Sequence, residues 1–253
     1  MMICSADSVF HVHSYRCGHA QTVPDDMYVK RAISLNARSI WFSDHSPFPG
    51  DPFGNRMNMS ELDEYLTTLL QLKREYAGRI EIHIGLEIEY FPSYDMAGYY
   101  KDLCDDKRIE FLMLGQHMAE TGINEYTFSW DKTRLFDEEY RALGEAIVTG
   151  IESGYFNYVA HPDRIFRRKK SWDVSMSKMS LRIINAASKS NIPLEINMHS
   201  VATKYHYWKE FWKLVPDETL VFTGLDVHSL DELTRRYLRQ QRYITELTGR
   251  NTL

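Results

Sequence analysis

Ten histidines are spread over the 253 residues, and seven of them stand at or just past the end of a short apolar run. His11 and His13 close the first run, with His19 six residues on. His45 follows in Ser43-Asp44-His45, His117 in Gly115-Gln116-His117 and His161 in Ala160-His161-Pro162-Asp163. His228 stands in Asp226-Val227-His228, and one further run ends in a carboxylate, Gly85-Leu86-Glu87. Imidazole is the commonest protein ligand for Zn-, Fe- and Mn-type ions, and carboxylates complete and bridge such sites. Residues two apart on a strand point to the same side, so His11 and His13 can share an ion, and Asp226 and His228 repeat the spacing. Seven imidazoles with Glu87 and Asp226 are too many for one tetrahedral ion and suit two or three ions sharing a bridge.

Other residues are weighed against this set. His83 shares a face with Glu87 but lies four residues earlier, about 13 Å down a strand and too deep to join. His206 reads as a loop residue and Cys17 as a packing residue. His199, two past Asn197, is a candidate to contact substrate or donate a proton, and Asn197 a candidate substrate contact. Arg164, three past His161, suits a phosphate because the guanidinium fork matches its oxygens, while Arg167, Arg168, Lys169 and Lys170 read as a solvated basic loop. In the loop Pro47–Met59, Phe48 and Phe53 are candidates to cover an imidazole ring of the site.

The elements that must position these groups alternate strand and helix. Strands are expected at Val9–Ser14, Ser39–Ser43, Ile80–Tyr90, Phe111–Gln116, Tyr155–Ala160, Pro193–Asn197 and Thr219–Thr223. The third is the clearest, with Ile80, Ile82, Ile84, Leu86 and Ile88 alternating with Glu81, His83, Gly85, Glu87 and Glu89. Helices are expected near Pro24–Asn36, Ser60–Ala77, Tyr94–Asp105, Thr133–Ser153, Ser175–Lys189, Trp208–Leu214 and Leu230–Thr248, with Ser60 and Asp63 as a capping-box variant. Helix-to-strand links are short. Strand-to-helix links are long at Asp44–Met59, His117–Lys132, His161–Val174 and Met198–Tyr207, so one end of the sheet carries the elaborated loops. A distorted seven-stranded (β/α) barrel of TIM-like form follows, with the metal site at the C-terminal strand ends. An open doubly wound sheet is the alternative, but no GxGxxG turn follows the first strand. With no Pro/Gly/Ser linker, residues 1–253 read as one domain.

Composition excludes other classes. Apolar residues are 43% and charged residues 26%, near globular averages. No apolar run approaches the roughly 18 residues of a membrane helix, and the start lacks a secretory pattern. Three scattered cysteines without a CxxC pair fit a reducing cytoplasm. A net charge of −5 argues against a broad nucleic-acid surface but not against a local cationic centre made of metal ions.

At the strand-end residues the chain resembles the PHP superfamily (polymerase and histidinol phosphatase), and within it the monofunctional histidinol-phosphate phosphatases. The resemblance rests on His11-Val12-His13 with His19-Ala20, Ser43-Asp44-His45, Gly85-Leu86-Glu87-Ile88-Glu89-Tyr90-Phe91-Pro92, Gly115-Gln116-His117, His161-Pro162-Asp163, Glu195-Ile196-Asn197 and Asp226-Val227-His228, in the family's order. It implies a distorted seven-stranded barrel with a trinuclear centre. By resemblance, one ion takes His11, His13, Glu87 and Asp226, a second Glu87, His117 and His161, and a third His19, His45 and His228. His199 departs from the family, which often has a small residue there.

The implied activity is hydrolysis of a small phosphate monoester, first of all L-histidinol phosphate in histidine biosynthesis, with three divalent ions drawn from Zn, Mn and Fe. A water held by the ions, its pKa lowered towards 7, would attack phosphorus in line. A phosphodiesterase or exonuclease is the runner-up, and binding that weakens steeply with salt would favour it. The oligomeric state stays open.

Overall fold

A computed structural model describes residues 7–122, 125–128, 139–203 and 206–240. Strands β1 (Ser8–Val12), β2 (Ser39–His45), β3 (Glu81–Ile88) and β4 (Phe111–Leu114) run parallel and adjacent. A separate antiparallel hairpin follows, β5 (Met118–Gly122) with β6 (Glu125–Phe128). The main sheet continues with β7 (Tyr158–Val159), β8 (Leu194–Asn197) and β9 (Val221–Gly224), in the order β1-β2-β3-β4-β7-β8-β9. Its first and last members come together. Leu225 N donates to Phe10 O at 2.8 Å and His13 N to Val227 O at 3.0 Å, with a parallel bridge between Val12 and Val227. The seven-stranded parallel barrel is therefore nearly closed.

Helices clothe its outside: α1 (Asp25–Ser34), α2 (Leu62–Glu75), α3 (Pro92–Met96), α4 (Tyr99–Asp105), α5 (Glu139–Ser153), α6 (Val174–Ser190), α7 (Met198–Thr203), α8 (Lys209–Leu214) and α9 (Leu230–Tyr237). The period of β3 explains the two layers of core. Ile82, Ile84, Leu86 and Ile88 face outward into the large apolar layer under the helices. Their alternates face the barrel axis. His83 stacks on Trp41 at 3.8 Å between ring centroids, low in the barrel. A side chain at Gly85 would run into the Phe111 ring, and Glu87 tops the row. Phe10, Trp41, Phe111, Met113, Tyr158, Ala160 and Phe222 fill the axis below the strand ends. This aromatic plug gives the site a dry floor.

The structure corrects several expectations. The helix expected over Tyr94–Asp105 is two, α3 and α4, parted at Gly98, whose φ of 81° a side chain would resist. The capping box is formed by Asn58 and Glu61 rather than Ser60 and Asp63, with Asn58 N donating to Glu61 Oε2 at 2.7 Å. The expected loop after His117 holds the β5–β6 hairpin, and the loop after β8 is mostly helix α7. The early part of the helix expected from Thr133 and the end of the one expected to Thr248 lie outside the described residues.

Candidate metal centre

Seven imidazoles converge on the mouth of the barrel. His13 lies at the middle, its ring centroid 4.9 Å from that of His11, 4.4 Å from His45 and 4.3 Å from His228. His19 extends the group, 5.5 Å from His45 and 4.6 Å from His228. On the other side His117 stands 5.2 Å from His45 and 4.9 Å from His161. Glu87 sits under them, its Oε2 3.3 Å from His11 Nε2, 3.4 Å from His13 Nε2 and 3.1 Å from His45 Nδ1. Its Oε1 lies 2.8 Å from His161 Nε2 and 3.7 Å from His117 Nε2. One carboxylate therefore touches both halves of the cluster, as a bridging group must. Asp226 closes the opposite side, 3.8 Å from His11 Nε2 and 3.6 Å from His13 Nε2.

The backbone reaches this arrangement by departing from regular strand. His11, His161 and Asp226 have φ values of 67°, 30° and 49°, in the left-handed region that L-residues occupy at a cost of order 1–3 kcal/mol. At His11 the β1–β2 register shifts between Val9 and Val12, which marks a bulge. His11 and His13 therefore meet through this irregularity and not through the plain alternation that their spacing suggests. Gly115 is required on packing grounds, since a side chain there would occupy the Glu87 carboxylate's place.

The donor atoms form triads in which all lie within 4.8 Å of one another: His11, His13 and Asp226; Glu87, His117 and His161; His19, His45 and His228. His13, His45 and Glu87 form a fourth such group, joining the first to the others. Both ring nitrogens of His13 and Nε2 of His228 are buried without a hydrogen bond. Such atoms are costly to leave unmet, and a cation among them would meet them. The donor set is imidazole and carboxylate, which fits Zn, Mn or Fe. A further triad of His13, Cys17 and His228 exists, but burial, followed by the charge of Asp44, pushes the Cys17 thiol up to about 12. Cys17 is fully buried, in keeping with a packing role.

Electrostatics sort the imidazoles into two kinds. Burial drives His13 and His45 well below the ordinary histidine value, His161 to about 3 and His228 to about 4. Neutral rings present lone pairs. His11 goes the other way: burial opposes its charge, but Glu195, Glu87 and Asp226 outweigh it and raise the ring well above its usual value. For Glu87 burial favours the acid, yet His11, His45 and His117 pull it well below the usual carboxylate range.

Supporting groups fix these side chains. Glu195, fully buried, takes His11 Nδ1 at 2.5 Å and accepts from His161 N at 2.8 Å. Gly224 beside it leaves room for that carboxylate. Asn197 donates to Glu195 Oε2 and Asp226 Oδ2, both at 3.1 Å, and is buried, so it orients a carboxylate where a substrate contact was expected. Glu89 stands 3.3 Å from His117 Nδ1 and takes a bidentate pair from Arg56 at 2.9 and 3.0 Å. Sequence reasoning assigned no role to Glu195, Glu89 or Arg56. Glu195 and Glu89 stand within the motifs that carry the family resemblance, which is the signal the sequence offers for them.

Above the cluster opens a cavity of about 480 Å³, lined by His19, His45, His117 and His228 and by Arg56, Arg164, Arg167, His199, His206 and Glu232 among others. Arg164 is there as expected, tied to Asp226 Oδ2 at 2.8 Å. Arg167 lines the cavity too, where a solvated loop was expected; burial, then the like charge of Arg164, lowers it to about 10. His206, read as a loop residue, also reaches the wall. Phe48 and Phe53 do not cover an imidazole. Both are buried, packed against Phe91, and lie under the Arg56 guanidinium, because a loop this aromatic gains more by burying its rings in the core. His83 remains outside the centre, 3.0 Å from Glu110.

Residues 10–199 of this barrel, with the cluster at its mouth, match the PHP domain, and the chain belongs to that family. Among curated relatives, the histidinol-phosphatase of Bacillus subtilis is 23% identical over 256 residues, covering 90% of this chain and 95% of that one. Among solved structures, the HisK protein of Listeria monocytogenes superposes with a TM-score of 0.75 at 18% identity, covering 91% of this chain and 98% of that one. The Lactococcus lactis histidinol phosphate phosphatase, solved with zinc, L-histidinol and phosphate, gives 0.73 at 20% identity, covering 97% and 95%. No helix among the described residues is long and apolar enough to cross a membrane.

Proposed function

We propose that this chain, acting as one domain, hydrolyses a small phosphate monoester, and that its substrate is L-histidinol phosphate. The observation that carries the reading is the convergence of seven imidazoles, Glu87 and Asp226 beneath a cavity walled by Arg164 and Arg167. The substrate comes from the relatives, named as histidinol phosphatases over nearly the whole chain.

Three divalent ions from the set Zn, Mn and Fe would be held by the three triads, with Glu87 of the second also completing the first. Once bound, they would supply Lewis acidity that polarises phosphate oxygens and lowers the pKa of water. Glu87 bridges the two halves and fixes their spacing. Nine donors with neutral imidazoles carry a charge of about −2, so three divalent ions leave the mouth near +4, which attracts a phosphate dianion to a protein that is negative overall. Arg164, held to Asp226, offers its remaining donors to equatorial phosphate oxygens and keeps the phosphoryl group in register. The plug of Phe10, Trp41 and Phe111 excludes water from below.

A phosphate-release panel tests this, with histidinol phosphate, other alcohol and sugar phosphates and a nucleotide diester run beside elemental analysis. Preferred turnover of histidinol phosphate with close to three ions per chain is expected. A preparation that cleaves only the diester overturns the reading.

A further inference from the structure

His199 is a cavity residue at which this chain departs from the family resemblance, and its surroundings restrict what it can do. It lies on α7, next to the end of β8. Its Nδ1 is 2.7 Å from Nη2 of Arg236, on α9. A guanidinium has five N–H donors and no acceptor, and it does not lose a proton in a protein. The ring nitrogen facing it must therefore carry a lone pair. The proton of the neutral ring is then on Nε2, the nitrogen that Arg236 leaves unused.

Arg236 has little freedom to do otherwise. It is 9% exposed, and Nη1 donates to Leu225 O at 2.9 Å and to Asp226 O. Nη2 donates to Glu232 Oε1 at 2.6 Å as well as to His199. Glu232 in turn accepts from His228 N at 2.8 Å. One guanidinium thus ties the backbone of the Asp226–His228 segment to the imidazole of His199. The charges that act on His199 are those of Asp226, Arg164, Arg236 and Glu232. Burial is the largest influence on the ring and keeps it below the ordinary histidine value, which agrees with a neutral imidazole.

We propose that His199 acts as a neutral hydrogen-bond donor, its Nε2–H serving the ester oxygen of the bound phosphate monoester, and that Arg236 is the positioning residue that fixes this tautomer. The choice of ester oxygen rests on the phosphomonoesterase reading; the tautomer does not. His199 lines the same cavity as Arg164, the arginine that would hold the phosphoryl oxygens, so a donor on its second ring nitrogen can serve the oxygen that joins phosphate to alcohol. When the P–O ester bond breaks, its electron pair stays on that oxygen. The donor steadies the growing negative charge, and solvent water supplies the proton that completes the alcohol. His199 keeps its own proton, because losing it would leave an imidazolate. A general-acid role for this residue is thereby replaced by a donor role.

Two measurements on zinc-loaded protein test the proposal. Nitrogen-15 NMR of the histidine rings, with the His199 signals identified by their loss in His199→Gln, should give an unprotonated Nδ1 and a protonated Nε2. Arg236→Gln should release the ring to a mixture of tautomers, and Arg236→Lys should restore part of the preference. A protonated Nδ1 in the wild type overturns the tautomer assignment. In the second, His199→Ala should slow turnover of an alkyl ester such as histidinol phosphate about 10²-fold, the scale of one lost donor to a developing oxyanion. Turnover of p-nitrophenyl phosphate, whose leaving oxygen needs no such help, should fall by only a few-fold. His199→Gln, which can place an N–H near the lost Nε2, should recover most of the difference at unchanged zinc content. Equal losses on both esters, or none, refute the role at the ester oxygen. A wild type inactive on histidinol phosphate but active on another alkyl phosphate would instead refute the substrate reading, and the leaving-group comparison then runs on that ester.

Discussion

Glu195 would hold no ion itself, yet it grips two of the residues that would. A carboxylate hydrogen-bonded to the far nitrogen of a ligating imidazole sets its tautomer and orientation, and losing such a partner commonly costs 10–100-fold in metal affinity. Glu195→Ala removes the partner of His11 Nδ1 and of His161 N together. The expected result is a 10–100-fold weaker hold on metal, read by competition with a chelator, with Glu195→Gln in between. Retention equal to wild type would mean that His11 needs no such support. His117→Ala goes further: it should cost one ion's worth of metal by elemental analysis and most of the turnover. At this scale the sequence was legible for donors and poor for their supports. A histidine at a strand end announces its chemistry by type and position. Glu195, Glu89, Arg56 and Arg236 have types that serve equally well on a solvated face, and only distance separates those uses. Asn197 shows the error in reverse: its place at a strand end was legible, but its amide is engaged by Glu195 and Asp226.

The barrel strands could be read because their period-2 pattern and short returns leave few alternatives. Loops obey no such period. The β5–β6 hairpin and α7 were missed for that reason, and the segment from Pro47 to Met59 was read for its aromatic rings while its main tie is ionic. In that segment Arg56 is buried against Glu89, which is 1% exposed. Breaking a buried pair from one side costs about 3–5 kcal/mol, because the other charge is left without compensation. Arg56→Ala should therefore lower stability by about 3 kcal/mol near neutral pH, seen as a lower denaturant midpoint. The pH dependence follows from the direction of the Glu89 shift. Burial raises that carboxyl, but Arg56 and His117 outweigh it and hold it far below its usual range. A depressed pKa contributes stability that is present above the unfolded value of about 4.3 and lost only as pH falls through the folded value. Without Arg56, burial raises the Glu89 carboxyl and the variant gains relative stability on acidification. The gap between the two proteins should narrow from pH 7 towards pH 4, and a gap that widens would contradict the pair's assigned role.

Seven imidazoles and two carboxylates are gathered at the mouth of a barrel whose axis below them is filled mainly by aromatic rings. Such a cluster is a poor source of stability without cations, since several of its buried nitrogens make no hydrogen bond. Ions that bind the folded state and not the unfolded one stabilise by mass action, about 4 kcal/mol at a free concentration 1,000-fold over Kd. For a chain of this size each kcal/mol moves the melting temperature by about 2–4 °C, so chelation should lower it by about 8–16 °C for each ion removed. Proton linkage gives a second readout of the same event. Burial keeps His13, His45, His161 and His228 below the ordinary histidine value, so at pH 7 they accept an ion without first losing a proton. In His11 burial is outweighed by Glu195, Glu87 and Asp226, so in the metal-free protein this ring carries a proton that an ion must displace. Calorimetric titration of the stripped protein with zinc, repeated in buffers of different ionisation enthalpy, should report release of about one proton from the protein side chains at pH 7. In Glu195→Gln, where the strongest attraction on His11 is gone, that release should shrink. Undiminished release in the variant would place the displaced proton on another residue and remove His11 from the first site.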